Sequence, residues 1–393
     1  MKKSVYIFIL TLLSAKFLDI LPMGQWFAQL NGVVGQFVLF IWIFYGVQMY
    51  KKKATCRFYS RKNWQFVKWV IIGVFLSFIP AYLYYGQSIV TSMIACRVQY
   101  FWLVIPLLLF VAPEEKDVIK ALNWFSVWYV ITFVVRTYIN SDLFYTSEEL
   151  LKQIKNNMED DVIKGEGFQL LLIPLYYYCG KMKEAMTIRN LLYVFIYMTT
   201  FFVIQNRSTL FIAVIIIGFV FLTKRSRYRV PIIFLAIVIG GIIFYQTMDV
   251  WIDMYEETIT QVTDSDYNRV VAFHYFIFEA NKNWVTAVLG NGFLSANTTS
   301  KMQDLMDMGI YNSDMGFIGY WNQFGIIPII VFVVYIIKSL RSHFCPFYVK
   351  ALSFHILACS MTISYFGSIT FLLWFAIFYY LYEYYQLKNV INK

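Results

Sequence analysis

The sequence predicts an all-α, polytopic integral membrane protein with about twelve transmembrane helices and one long extracytoplasmic loop. Three observations predict it. Hydrophobic residues fill 60% of the 393 positions and charged residues only 14%, against roughly a quarter charged in an average soluble domain. Aromatic residues reach 20%, and the mean hydropathy is +0.59. Apolar runs are joined by connectors that alternate in sign. Lys51, Lys52, Lys53, Arg57, Arg61 and Lys62 fill one, Lys181, Lys183 and Arg189 another, and Lys224, Arg225, Arg227 and Arg229 a third. Glu148, Glu149, Glu159, Asp160 and Asp161, and later Asp253, Glu256, Glu257, Asp264 and Asp266, occupy intervening loops. Short loops rich in Lys and Arg stay in the cytoplasm, so the alternation orients the chain. The net charge of +10 follows from this topology, and nucleic acid is not an expected partner.

The predicted spans run in order. The first, 5–22, follows MKKSVYIF and reads as an uncleaved span, because Lys16 and Asp19 follow and no small-residue cleavage site closes it. The second is 34–50, ended by the Lys51–Lys53 run. Spans at 66–85 and 90–112 lead to a cytoplasmic PEEKDVIK connector, and a fifth span at 121–139 leads to an acidic outer loop, 140–167. Within that loop SEELLKQIKNNMEDD reads as a short helix, since Ser147 and two glutamates suit a helix start. Spans six to nine are 168–180, 190–206, 208–223 and 230–248. A polar island at 249–313 follows, then spans at 314–337, 351–367 and 369–385. Both termini are expected in the cytoplasm, the chain is one membrane domain over 1–393, and the island is its long outer loop.

The five cysteines suggest no disulfide framework, since Cys56 and Cys345 lie in loops that the charge rule assigns to the cytoplasm. His274, His343 and His355 have no metal-site spacing, so neither metal nor cofactor is expected.

Charges in or beside spans are costly and therefore functional candidates. Arg207 stands at the outer tip of a hairpin in VIQNRSTLFIAV, where positive-inside logic does not put an arginine. There it can snorkel to headgroups or hold a phosphate bidentately. Arg97 lies inside the fourth span, facing Asp19, Glu166 or a substrate cavity; Arg136 lies near the outer end of the fifth. In the island, SDYNRVVAFHYFIFEANKNW reads as an amphipathic helix begun by Ser265 or Asp266. Arg269 shares a face there with Phe273, Phe276 and Ala280, while His274 points about 140° away. His274 is kept as a possible substrate contact rather than as a base. Leu289-Gly290-Asn291-Gly292-Phe293 reads as a tight turn. Asp314 heads the tenth span, on one predicted helical stripe with Trp321, Gly325 and Pro328. It can cap that helix or serve as a general base. Outward arginines with an outward carboxylate suit an extracytoplasmic enzyme acting on a lipid-linked phosphate.

At these residues the chain resembles the O-antigen polymerase and ligase superfamily of bacterial envelope polysaccharide assembly. Three features over roughly 190–340 carry the resemblance: Gln205-Asn206-Arg207-Ser208 at a hairpin tip; Asn268-Arg269, then Trp284 and Gly290-Asn291-Gly292-Phe293; and Ser313-Asp314-Met315-Gly316-Phe317, then Gly325-Ile326-Ile327-Pro328. The ligase branch typically has histidine where this chain has Asp314, which favours the polymerase branch. The resemblance implies that Arg207 and Arg269 bind the undecaprenyl diphosphate of a donor glycan, with Arg97, Arg136 and His274 as further contacts. Asp314 becomes the base or acceptor-orienting group. It also implies work without metal or nucleotide, in the bacterial inner membrane, beside a chain-length regulator and a flippase. Competing readings are a ligase, a flippase, and a glycosyltransferase with acidic residues in its first outer loop. The last is disfavoured because Met23-Gly24-Gln25-Trp26 holds no carboxylate.

Overall fold

Aromatic side chains this numerous need a shared interior, and the chain builds one around Trp102. The computed structural model describes residues 2–15, 65–135, 167–204, 207–223, 252, 268–281, 283–295, 299–308, 310, 312–360 and 366–391. Among these residues every regular element is helical. The first to come are α1 (Lys3–Ser14), α2 (Gln65–Leu76), α3 (Phe78–Tyr85), α4 (Ile89–Ala95), α5 (Val104–Val111) and α6 (Glu115–Val134). Then follow α7 (Leu172–Glu184), α8 (Ile188–Val203) and α9 (Arg207–Thr223). The island contributes α10 (Asn268–His274), α11 (Trp284–Leu289) and α12 (Ser300–Asp307). The chain closes with α13 (Gly316–Phe324), α14 (Ile326–Arg341), α15 (Phe347–Cys359) and α16 (Ile369–Ile391). The predicted spans at 34–50 and 230–248, the 147–161 helix, Arg136 and the predicted helix start at Ser265 or Asp266 lie outside the described residues.

The 66–85 run passes through a single turn residue at Ser77, whose Oγ donates to the Val74 carbonyl at 2.7 Å, and α2 and α3 read together as one helix. Other predicted spans are broken rather than continuous. The 90–112 run becomes α4, a 3₁₀ segment (Arg97–Leu103) and α5, with a 65° bend at the break. The 314–337 run divides at Gly325, φ +78°. α6 starts at Glu115, inside the connector expected to be cytoplasmic loop, and Glu115 and Asp117 in its first turn favour the positive helix end. Among the described residues one helix, Gln65–Tyr85, is long and apolar enough to cross a membrane, or two if the bent pair counts as one span. The 65° bend and the Gly325 break each divide a predicted span.

In the core, the Trp102 ring lies 5.6 Å from Phe66, 5.3 Å from Phe332 and 5.6 Å from Phe375. Gln99 is buried among them and is satisfied. Its Nε2 donates to the Phe366 carbonyl at 2.8 Å, and its Oε1 accepts from Trp102 Nε1 at 3.1 Å and from the Tyr320 hydroxyl at 2.8 Å. A buried amide left unpaired would cost about 1–3 kcal/mol, so this knot fixes how the 3₁₀ segment, α13 and the start of α16 meet.

The helices run between two unlike ends. At one, Lys3 Nζ donates to the Ala112 carbonyl at 2.7 Å, the Tyr380 hydroxyl donates to the Pro113 carbonyl, and Gln386 donates to Ser342 Oγ at 2.6 Å. Lys3 and Lys388 both act on Glu114 there. We call this the basic end. At the other, Tyr85 and Gln87 meet the island. α2–α3 rises from the first end to the second, and α14 returns beside it.

Candidate functional site

The island folds on a small core of its own. Ala272, Phe276 and Ala280 bury against Leu305, Ile310, Met315 and Ile318, with Val271, Tyr275 and Ile277 at the edge. The predicted stripe of Phe273, Phe276 and Ala280 is only partly right, because Phe273 is 42% exposed. After His274 the helix widens into a π turn, Tyr275–Glu279, closed by a 2.8 Å bond from Ala280 N–H to the Tyr275 carbonyl. The wider turn alters the angular step, so the buried face runs through Ala272, Phe276 and Ala280. Burial pushes the Tyr275 hydroxyl pKa upward.

This core joins two of the candidate segments. α10, which carries Arg269 near its start, packs against a 3₁₀ turn, Asn312–Met315, which carries Asp314. The turn runs straight into α13, and Met315 and Ile318 anchor it in the island core. Asp314 is therefore on a 3₁₀ turn ahead of a broken helix, and the predicted stripe through Trp321, Gly325 and Pro328 does not form one continuous α-helical face.

A second joint locks the island onto the bundle. Asn291 N–H donates to the Asn322 carbonyl at 2.6 Å and Gly292 N–H to the Gln323 carbonyl at 2.9 Å. The Gly290-Asn291-Gly292-Phe293 turn thus sits against the break between α13 and α14. All three glycines at this contact have left-handed backbones, Gly290 at φ +82°, Gly292 at φ +80° and Gly325 at φ +78°. A Cβ on Gly290 would fall 2.5 Å from the Gln323 carbonyl oxygen, and one on Gly325 would strike the Val288 carbonyl. Only glycine permits that approach. Asn291 is the hub: its Oδ1 accepts from the Tyr85 hydroxyl at 2.7 Å and its Nδ2 donates to Asn281 Oδ1 at 3.2 Å. Gln87 extends the joint, donating to the Phe293 carbonyl at 2.9 Å and accepting from Ser295 N–H at 2.8 Å. Trp321 Nε1 donates to the Ala287 carbonyl at 2.7 Å. A cavity of about 20 Å³ lies in this seam, lined by Tyr85, Tyr275, Asn291, Asn312 and Asn322; that volume suits a single water-sized group.

The remaining candidates disperse. Arg207 opens α9 at the turn of the α8–α9 hairpin, and α9 packs on α7, α8 and α15. It therefore begins a helix of the bundle, not of the island. By chain direction that turn lies away from the basic end, because α8 starts beside Lys181 and Arg189 and runs from there. Arg97 is exposed at the bend after α4, with no carboxylate partner among the described residues. His274 is exposed and lies 3.3 Å from Glu279, an interaction of little worth at a solvated surface. His355 is structural: it is buried and its Nδ1 pairs with the Tyr176 hydroxyl at 2.7 Å.

Tyr85, Gln87, Asn312 and Asn322 were not singled out by sequence reasoning. Tyr85 and Gln87 end an apolar run and carry no motif; only a partner more than two hundred residues away gives them a role. No protein-family model, curated protein or solved structure matches this chain.

Proposed function

We propose that the protein is a polyprenyl-diphosphate-glycan-dependent glycosyltransferase, a polymerase that joins undecaprenyl-diphosphate-linked oligosaccharide repeat units on the outer face of the bacterial inner membrane. In this reading the chain crosses the membrane about twelve times with its island outside and both termini in the cytoplasm. The product belongs to the O-antigen, capsule or exopolysaccharide class. The single observation that carries the reading is the packing of α10 on the Asn312–Met315 turn, which brings the segments of Arg269 and Asp314 together at the end opposite the basic one. Two further observations support it. The glycine turn and the Gly325 break, separate motifs in the resemblance, interlock in space. Large apolar side chains face outward along the bundle helices, including Leu83, Val90, Val127, Phe195 and Phe211, each more than half exposed, as a lipid-facing surface requires.

The chemistry follows from charge. A hydroxyl oxygen of the acceptor sugar attacks the anomeric carbon of the donor glycan from the face opposite its diphosphate. The new glycosidic C–O bond forms as the bond to the diphosphate breaks, with inversion, and the proton of the hydroxyl passes to the Asp314 carboxylate. Arg207 and Arg269 stabilise the charge that gathers on the departing polyprenyl diphosphate. Arg97, Arg136 and His274 are peripheral contacts in this scheme.

Deleting the gene separates this reading from transport. A strain lacking the polymerase displays single repeat units outside the membrane and no long chains. A strain in which repeat units stay trapped on the cytoplasmic side would assign the chain to flipping instead. Repeat-unit polymers of normal length that fail to reach their final acceptor would assign it to ligation.

A further inference from the structure

A cleft of about 910 Å³ lies near the basic end, between α6, α7 and α8. α7 packs against both α6 and α8 and so forms the floor, while α6 and α8 form the walls and the fourth side is open. The lining is graded along the helix axes. Lys116, Lys120, Lys181 and Arg189 stand at the mouth, with Glu184 the one carboxylate among the lining residues. Lys116 is already paired with Glu114 at 2.7 Å and Lys181 with Glu184 at 2.9 Å. Lys120 Nζ lies 5.0 Å from the Trp124 ring, and among the described residues neither Lys120 nor Arg189 has a carboxylate partner. One residue of helix rises 1.5 Å, so the next layer begins about 5 Å deeper. There the Tyr197 hydroxyl donates to Asn123 Oδ1 at 2.9 Å, and Asn123 Nδ2 donates to the Tyr178 hydroxyl at 2.7 Å. Beyond them on α6 the walls are Val127, Val130 and Ile131, with Ile196 beside Tyr197 on α8. Val127 is 61% exposed and Ile196 52%.

We propose that this cleft binds an anionic phospholipid of the cytoplasmic leaflet. The order of the lining matches the order of such a molecule. Two cations without carboxylate partners meet the headgroup phosphate, hydroxyl and amide groups meet the glycerol esters, and an open alkyl slot takes an acyl chain. Basic pockets between membrane helices on the cytoplasmic side select anionic headgroups in this way. The inference rests on the chain spanning a membrane with its basic end inside, and it is independent of the proposed catalysis, which lies at the other end.

The test uses the full-length protein, purified and exchanged into a neutral detergent, with lipid binding read by native mass spectrometry and by the shift in melting temperature. The probes are phosphatidylglycerol, phosphatidylcholine and inorganic phosphate. Phosphatidylglycerol binds and raises the melting temperature; phosphatidylcholine does so at least tenfold less tightly. The Lys120→Ala/Arg189→Ala variant, altered only at exposed positions, weakens phosphatidylglycerol by about tenfold or more. Lys116→Ala, whose lysine already has the Glu114 carboxylate at 2.7 Å, weakens binding less than the double variant does. Val127→Trp keeps the cationic mouth and fills the slot, so it also loses the lipid. Equal binding of both lipids, protection by inorganic phosphate alone, or unchanged binding in both the double variant and Val127→Trp would overturn the proposal. None of these readouts needs a glycan, so a failed polymerase assay leaves them unaffected. Flotation with vesicles separately tests membrane insertion.

Discussion

The island seam and the basic end are held together by opposite means. At the seam, backbone amides, asparagine side chains and three left-handed glycines fit segments from three distant parts of the chain, and the contacts to Asn291 among the described residues come from uncharged groups. At the basic end, charges are abundant and loosely held. Glu114 and Lys116 form a fully exposed pair in which the hydrogen bond from Lys116 keeps the Glu114 carboxyl below the usual range, while Glu184 raises the Lys181 ammonium. Exposed pairs of that kind are screened by solvent and add little to stability. The difference teaches that charge gathers where the contacts are loose, whereas close geometry marks the place where segments are held in register. The seam is accordingly the part that tolerates change least.

The sharpest way to break that contrast is to add one methyl group. Gly290→Ala and Gly325→Ala each force a Cβ into backbone from a left-handed conformation. Each is expected to destabilise by more than about 3 kcal/mol, seen as a large drop in melting temperature or loss of folded protein. Gly218→Ala in α9 is the matched control, since nothing lies within 4 Å of its added Cβ; it is expected to be neutral or to gain about 0.5–1 kcal/mol. Equal behaviour of all three variants would dissolve the distinction between the two regions. Asn291→Ala is a milder cut. It leaves the Tyr85 hydroxyl without its 2.7 Å acceptor and removes the bond to Asn281, for a loss of about 1–3 kcal/mol. Limited proteolysis of this variant should cleave first within the island, while the core around Trp102 stays protected.

Much of the helical character was legible, because hydropathy needs no tertiary information. α8 and α9 begin and end close to the predicted 190–206 and 208–223. The breaks were not legible to the same degree. Cys96 is unremarkable in an apolar run, and Gly325 only becomes a break once Leu289 and Gly290 press against it. The π turn after His274 was hidden for a similar reason: the residues that reward it, Leu305, Ile310 and Met315, lie far along the chain. At the candidate site, Arg269 and Asp314 were readable as isolated polar residues, and their segments do meet. Tyr85, Gln87 and Asn322 were not, since each acquires its role from a long-range partner.

Chain-length distribution tests the central claim most directly. In a strain deleted for the gene, plasmid copies carrying Arg269→Ala, Asp314→Ala or the parent sequence are compared at matched amounts of membrane-embedded protein, with polysaccharide resolved as a ladder. The account predicts that both variants leave single repeat units and remove the ladder, a loss of at least a hundredfold in long chains. A normal ladder from both variants would contradict it.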